Sequence, residues 1–205
     1  MIKNVIFDIG NVILNFNVEE VLKKFTDRQE EQKFIMENII KSPEWLEYAL
    51  IDTGYISREE AIDIVSDRTN HSNDELIKNF WYNYNNYAFV NMEILDLIKE
   101  LKSKGYNVYL LSNINSYTTE NVARSGLFEL VDGYILSYQV HQVKPYEGIY
   151  KTLLKKYNLT ASECLFIDDN QKNIVTGNKL GILSKKVEPD NVASVIETIK
   201  ELNLL

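Results

Sequence analysis

The chain has 205 residues, 45% hydrophobic and 25% charged, with a formal net charge of −8 at pH 7. That length suits one large domain or a core with an insertion. The acidic balance argues against nonspecific binding to nucleic acid or to an anionic membrane surface. A single cysteine, Cys164, excludes an internal disulfide and fits a reducing compartment; it lies in an apolar run and reads as a small buried hydrophobe. Lys3, Asn4 and Asp8 interrupt any early signal-like stretch, and no span is long and uncharged enough for a membrane helix. A cytoplasmic protein is expected.

The first element is the run Val5-Ile6-Phe7-Asp8, a strand over 4–8 that ends in a carboxylate and a permissive backbone position, Gly10. Residues 15–88 then carry helical patterns over 18–40, 44–51, 58–68 and 74–84, with no convincing strand. Ser57-Arg58-Glu59-Glu60 and Ser72-Asn73-Asp74-Glu75 have the form of N-caps followed by acids. A helix over 91–104 repeats Ile94, Leu95, Leu97, Ile98 and Leu101 at helical spacing and stops at Gly105. Strands at 107–112, 134–137, 164–168 and 181–184 follow, separated or followed by helices at 116–125, 145–157, 170–180 and 190–202. Such alternation predicts an α/β fold, a Rossmann-like doubly wound parallel sheet covered on both faces. Residues 1–14 and 89–205 form this core, and the all-helical segment 15–88 is a small cap inserted after the first strand, over the sheet's carboxyl edge.

In a parallel sheet the carboxyl ends of the strands converge on one edge, where open α/β folds bind ligands. Four ends carry polar chemistry: Asp8, Ser112-Asn113, Lys144-Pro145 and Asp168-Asp169-Asn170. Two or three carboxylates with a backbone carbonyl make a hard oxygen site suited to Mg²⁺. A carboxylate can attack phosphorus and split hydrolysis into two easier steps, and the transferring phosphoryl group needs a metal, a cation and hydrogen-bond donors around it. Asp8, Lys144, Ser112 and the Asp168/Asp169 pair supply those parts; an acid to protonate the leaving group is missing.

The four motifs, in this order, resemble the haloacid dehalogenase-like superfamily of hydrolases over essentially the whole chain, with 15–88 similar to its C1-type helical cap. Phe7-Asp8-Ile9-Gly10-Asn11-Val12, Ser112-Asn113, Lys144-Pro145 and Phe166-Ile167-Asp168-Asp169-Asn170 are similar to a bacterial subgroup that includes α-D-glucose-1-phosphate phosphatase. The resemblance implies Asp8 as nucleophile and metal ligand, and a Gly10 carbonyl on Mg²⁺. It implies Ser112 and Asn113 on the phosphate, Lys144 neutralising it, and Asp169 with Asp168 completing the metal site. The substrate so implied is a small phosphorylated metabolite, a sugar phosphate such as glucose 1-phosphate included. Most phosphatases of the superfamily carry a second Asp where this chain has Gly10, so the proton must come from elsewhere.

Two alternatives stand beside a Mg²⁺-dependent phosphatase: a metal-independent 2-haloacid dehalogenase, for which the Asp168-Asp169 pair has no use, and a catalytically weak phosphate-binding or regulatory protein. Among minor candidates, His141 lies near Lys144, and an imidazole is a side chain suited to proton transfer. Trp45 and Tyr48, one turn apart, either line a substrate pocket or pack the cap helix. His71, the aromatic run 81–87 and Lys185-Lys186 read as a polar turn, cap packing and a solvated loop.

Overall fold

The computed structural model describes residues 1–40 and 47–205. Seven strands are present among them: β1 (Asn4–Phe7), β2 (Leu14–Asn15), β3 (Phe89–Val90), β4 (Asn107–Ser112), β5 (Gly133–Leu136), β6 (Cys164–Asp168) and β7 (Leu183–Lys186). Five form one parallel sheet in the order β5-β4-β1-β6-β7. The chain builds outward from β1 through β4 to β5, then returns to the other side of β1 for β6 and β7. The reversal puts a topological switch point between β1 and β6, the place where such sheets open a ligand crevice.

Alternation along the strands divides the core. Val5, Phe7, Val108, Leu110, Leu165 and Ile167 face a cluster that includes Ile94, Ile98 and Leu101 of helix Met92–Ser103 and Val195 and Ile199 of helix Val192–Glu201. Ile6, Tyr109, Leu111, Cys164 and Phe166 face the other way, onto Ile149, Tyr150 and Leu153 of helix Glu147–Lys156 and Ile174 of helix Gln171–Lys179. With both faces covered, the strands read as continuous apolar runs. Each fully buried Phe, Ile or Leu here contributes about 1.5–3 kcal/mol. Cys164 is a free, buried thiol whose pKa burial pushes up to about 11, an inert packing residue.

The helices between residues 18 and 87 gather round a separate cluster that includes Val21, Leu22, Ile35, Ile51, Val65, Phe80, Trp81 and Tyr84. The helix expected over 18–40 is broken: Val18–Phe25 ends at Thr26 and a new helix, Gln29–Ile35, runs into a π turn at Met36–Ile40. Thr26 Oγ1 accepts from the Arg28 N–H at 3.2 Å and donates to Glu31 at 2.7 Å, local bonds that compete with the helical ladder. Ser57 and Glu60 form the expected capping box, whereas Asn73 stands at the next N-cap without a side-chain cap bond. The helix expected at 44–51 is described from Glu47 to Asp52; Trp45 lies outside the described residues. Trp81 and Tyr84 are interior aromatics, as their packing role required.

Two differences from expectation concern strands. Leu14–Asn15 and Phe89–Val90 pair antiparallel, a ribbon too short for sequence periodicity to reveal. Lys185 and Lys186 belong to β7, the sheet's edge, rather than to a loop; lysines on an edge strand discourage pairing with another chain. Among the described residues no helix is long and apolar enough to cross a membrane.

Candidate active site

The carboxyl ends of β1, β4 and β6 bring together the acids and hydroxyl singled out in the sequence; Lys144 reaches them from the turn before helix Glu147–Lys156, after the short helix Ser137–Val140, and not from a strand end as expected. Asp8 follows β1 directly and its N–H donates to Ile167 O at 2.9 Å, which locks it beside the end of β6. Lys144 Nζ lies 2.8 Å from Asp8 Oδ1 and 2.6 Å from Asp168 Oδ2, with its side chain 1% exposed. Asp8 Oδ1 also accepts from the Ile9 N–H at 2.6 Å. Burial is the main influence raising the Asp8 pKa; Lys144 opposes it and Asp168 reinforces it. Burial also disfavours the Lys144 ammonium, but Asp8 and Asp168 outweigh it and raise its pKa, so the lysine stays charged.

Asp8, Asp168 and Asp169 each offer an oxygen within 4.8 Å of the others, but they differ in what they have left to give. The Asp168 carboxylate takes Lys144 Nζ, both oxygens take Asn173 Nδ2 at 3.0 and 2.9 Å, and Oδ1 takes the Asn170 N–H at 2.7 Å. Those bonds use the capacity of an ionised carboxylate. Asp169 is more open and holds one bond, from Asn11 Nδ2 at 3.1 Å. Burial raises its pKa, with the Asn11 bond opposing and the Asp168 charge adding. Crowded, partly desolvated carboxylates of this kind match the oxygen donors a hard divalent cation requires. The Ser112 hydroxyl is buried beside Asp8, where it helps hold that carboxyl's pKa down, yet no close hydrogen bond engages it.

Gly10 and Asn113 line the same pocket. Gly10 does not need glycine's backbone freedom: the left-handed residue is Asn11, at φ 57°, and a Cβ at position 10 would meet nothing within 4 Å. The Asn113 side chain is occupied on both sides by the Lys144 backbone, donating to its carbonyl at 2.9 Å and accepting from its N–H at 2.8 Å. It positions the Lys144 loop, and only its backbone remains for a phosphate.

Sequence reasoning passed over Asn11, Asn173, Asn115 and Asp52. Asn173 lies five residues beyond Asp168, in the first turn of the following helix, a spacing that points its amide back at the strand end. Asp52 carries no local signal. A cavity of about 130 Å³ next to the strand ends is lined by Gly10, Asn11, Tyr48, Asp52, Asn113 and Asn115, among others. Tyr48 therefore both lines this pocket and packs on Trp81. His141 Nδ1 is 2.8 Å from Thr53 O and its ring stacks on Tyr55, which commits it to holding the loop after Asp52. His71 pairs with Asp67 and Asp74 on the surface. A wider depression, about 870 Å³, lies between Glu31 and Tyr82 and contains none of the strand-end residues.

The sheet order and the acids at the ends of the adjacent strands β1 and β6 define an α/β protein with a hard-oxygen site at its carboxyl edge. The profile of haloacid dehalogenase-like hydrolases matches residues 2–181, and the chain belongs to that family. It is 29% identical to a D-ribitol-5-phosphate phosphatase of Bacteroides thetaiotaomicron, over 94% of both chains. Among solved structures it is similar to a family enzyme from the same bacterium in complex with magnesium and inorganic phosphate, with a TM-score of 0.76 and 25% identity, over 96% of this chain and 99% of the other. A HAD-like hydrolase from Porphyromonas gingivalis superposes with a TM-score of 0.78 at 27% identity, over 99% and 98% of the two chains.

Proposed function

We propose that the protein is a phosphomonoester hydrolase acting on a small phosphorylated metabolite of the sugar or polyol class, with ribitol 5-phosphate and glucose 1-phosphate among the compounds to test. The observation that carries the reading is the buried Asp8–Lys144–Asp168 chain beside the open Asp169 and the buried Ser112 hydroxyl. A nucleophile, a cation and a hydroxyl donor at one sheet edge are what transfer of a phosphoryl group demands. The polar lining of the pocket, with Asn113, Asn115, Thr118 and Asp52, suits a hydroxyl-bearing leaving group.

In this reading the Asp8 carboxylate attacks phosphorus in line and the ester oxygen departs. Water then hydrolyses the aspartyl-phosphate and releases inorganic phosphate. Lys144, held between two carboxylates, fixes the Asp8 carboxylate and faces the charge on the phosphoryl oxygens. The Ser112 hydroxyl and the Asn113 backbone complete the phosphate cradle. Mg²⁺, held by Asp8, Asp169 and the Gly10 carbonyl with Asp168 behind them, would neutralise phosphoryl charge when bound. Residues 15–88 act as a cap that shields this chemistry from bulk water and shapes the pocket. Phosphate release from a panel of sugar and polyol phosphates, with Mg²⁺ and with EDTA, tests the proposal. Metal-dependent release that Asp8→Asn abolishes is expected; undiminished turnover by that variant overturns the assignment, and chloride release from 2-haloacids without metal would favour the dehalogenase alternative.

A further inference from the structure

With Gly10 in place of an acid, the proposed phosphatase reaction lacks a group to protonate its leaving oxygen, and the pocket contains one carboxyl that the reaction has not used. Asp52 is the last residue of helix Glu47–Asp52 and lines the same cavity as Gly10, Asn11 and Asn113. Three consecutive residues pin it to the core. Ser137 Oγ donates to the Asp52 carbonyl at 2.5 Å, and Thr53 O lies 2.8 Å from His141 Nδ1. Gly54 packs so closely on the Tyr138 carbonyl that a Cβ would come within 2.6 Å of its oxygen. Ser137 Oγ also accepts from the Ile114 N–H at 2.9 Å, so the anchor grips the very loop that leaves Ser112.

The side chain is held as firmly. Asp52 Oδ1 accepts from Asn115 Nδ2 at 2.9 Å, and Oδ2 accepts no hydrogen bond from a described residue. Among the described residues no Lys, Arg or His pairs with it. The titratable groups that face it are the phenols of Tyr48 and Tyr84, both neutral, and the neighbouring Asn115 and Thr118 carry no charge. A carboxyl beneath a cap with no cation keeps its proton more readily than a solvated one.

We propose that Asp52 is the general acid and base of the reaction, giving its proton to the leaving-group oxygen from the cap side. This rests on the phosphatase reading above. In the first step the Asp8–phosphorus bond forms, the bond from phosphorus to the ester oxygen breaks, and that oxygen takes the Asp52 proton, leaving a carboxylate. In the second step the Asp52 carboxylate takes a proton from the attacking water as the new phosphorus–oxygen bond forms and the Asp8–phosphorus bond breaks. Inorganic phosphate leaves, and Asp8 and Asp52 return to their starting forms. Burial raises the Asp52 pKa to about 7, against the Asn115 bond, which suits a group that must give and take a proton near neutral pH.

The test compares a polyol phosphate, whose alkoxide needs a proton to leave, with 4-nitrophenyl phosphate, whose phenolate does not. For Asp52→Asn, which keeps shape and the Asn115 contact, kcat/KM on the polyol phosphate should fall by about 10²–10⁴-fold. On the aryl ester it should fall by less than about tenfold. Equal losses on the two esters, or no loss on the polyol phosphate, overturn the assignment. The wild-type enzyme supplies a second reading that does not depend on the variant's folding. Its kcat/KM should decline above about pH 7 on the polyol phosphate and not on the aryl ester; parallel pH profiles overturn the proposal. Wild-type enzyme that hydrolyses neither ester with Mg²⁺ overturns the phosphatase reading itself.

Discussion

Lys144→Met is the most direct probe of how the site is held together. The lysine sits 2.8 Å from Asp8 and 2.6 Å from Asp168, and the three side chains are between 0 and 11% exposed. Methionine fills much of the volume but leaves two buried carboxylates facing each other without a cation. Removing one partner of a buried pair costs about 3–5 kcal/mol, which at a urea m-value of ~2–3 kcal/mol/M moves the midpoint down by about 1–2 M. Burial already raises the Asp8 pKa and Lys144 opposes that rise, so losing the lysine raises it further. Between the unfolded value and the raised folded value the native state binds the extra proton. Stability of the variant therefore falls as pH rises through that window, by about 1.4 kcal/mol per pH unit for Asp8. The penalty should be larger at pH 8 than at pH 5, where Asp8, raised to about 7 with the lysine present and higher without it, is protonated in both proteins. Urea titrations followed by far-UV circular dichroism at the two pH values, in EDTA, measure it. A cost below about 1 kcal/mol at pH 8, or one equal at both pH values, refutes the reasoning.

Three further substitutions follow from the geometry. Asn173→Ala strips both Asp168 oxygens of a donor; it should cost about 1–3 kcal/mol in stability and lower kcat by loosening Lys144, and unchanged values of both would show that Asp168 needs no such support. Gly10→Ala should be neutral or stabilising by about 0.4–1 kcal/mol in thermal melts, because a Cβ there meets open space at an ordinary φ; clear destabilisation would show that the glycine is structurally required. Gly54→Ala combines a φ of +69° with a Cβ placed 2.6 Å from Tyr138 O, and should lower stability by at least about 1–2 kcal/mol and raise KM as the Asp52 anchor lifts; wild-type kinetics would dismiss the anchor.

The sheet and its strand-end chemistry were legible because a buried parallel strand must be apolar along its length. A carboxylate such as Asp8 or Asp168 at the end of such a run therefore stands out against it. The helices of the core were equally plain, their stops marked by Gly105 and Gly126, both at positive φ. What the sequence hid is set by contacts between distant residues. Asp52 acquires its environment from Asn115, Tyr48 and Tyr84, which no periodicity links to it. The Asn113 amide looked like a phosphate ligand until its two bonds to the Lys144 backbone were seen. Gly10 stood out as a permissive backbone position, but the left-handed residue is one later, Asn11. The break after Phe25 was hidden because Thr26 acts through side-chain bonds rather than through low apolar content.

The ribbon of β2 and β3 bears on how such a chain can be rebuilt. Leu14 pairs with Val90 and Asn15 with Phe89, so the excursion between them leaves and re-enters the α/β layer through two points one strand spacing apart, about 4.8 Å. Closing a long loop whose ends are already neighbours adds little entropic cost as the loop lengthens. The ribbon is thus a graft junction: a turn of a few residues would seal the layer after excision, and a foreign helical module with adjacent termini would fit the same two stumps. Swapping the segment there would exchange Asp52 while leaving Asp8, Lys144 and Asp169 outside the replaced stretch.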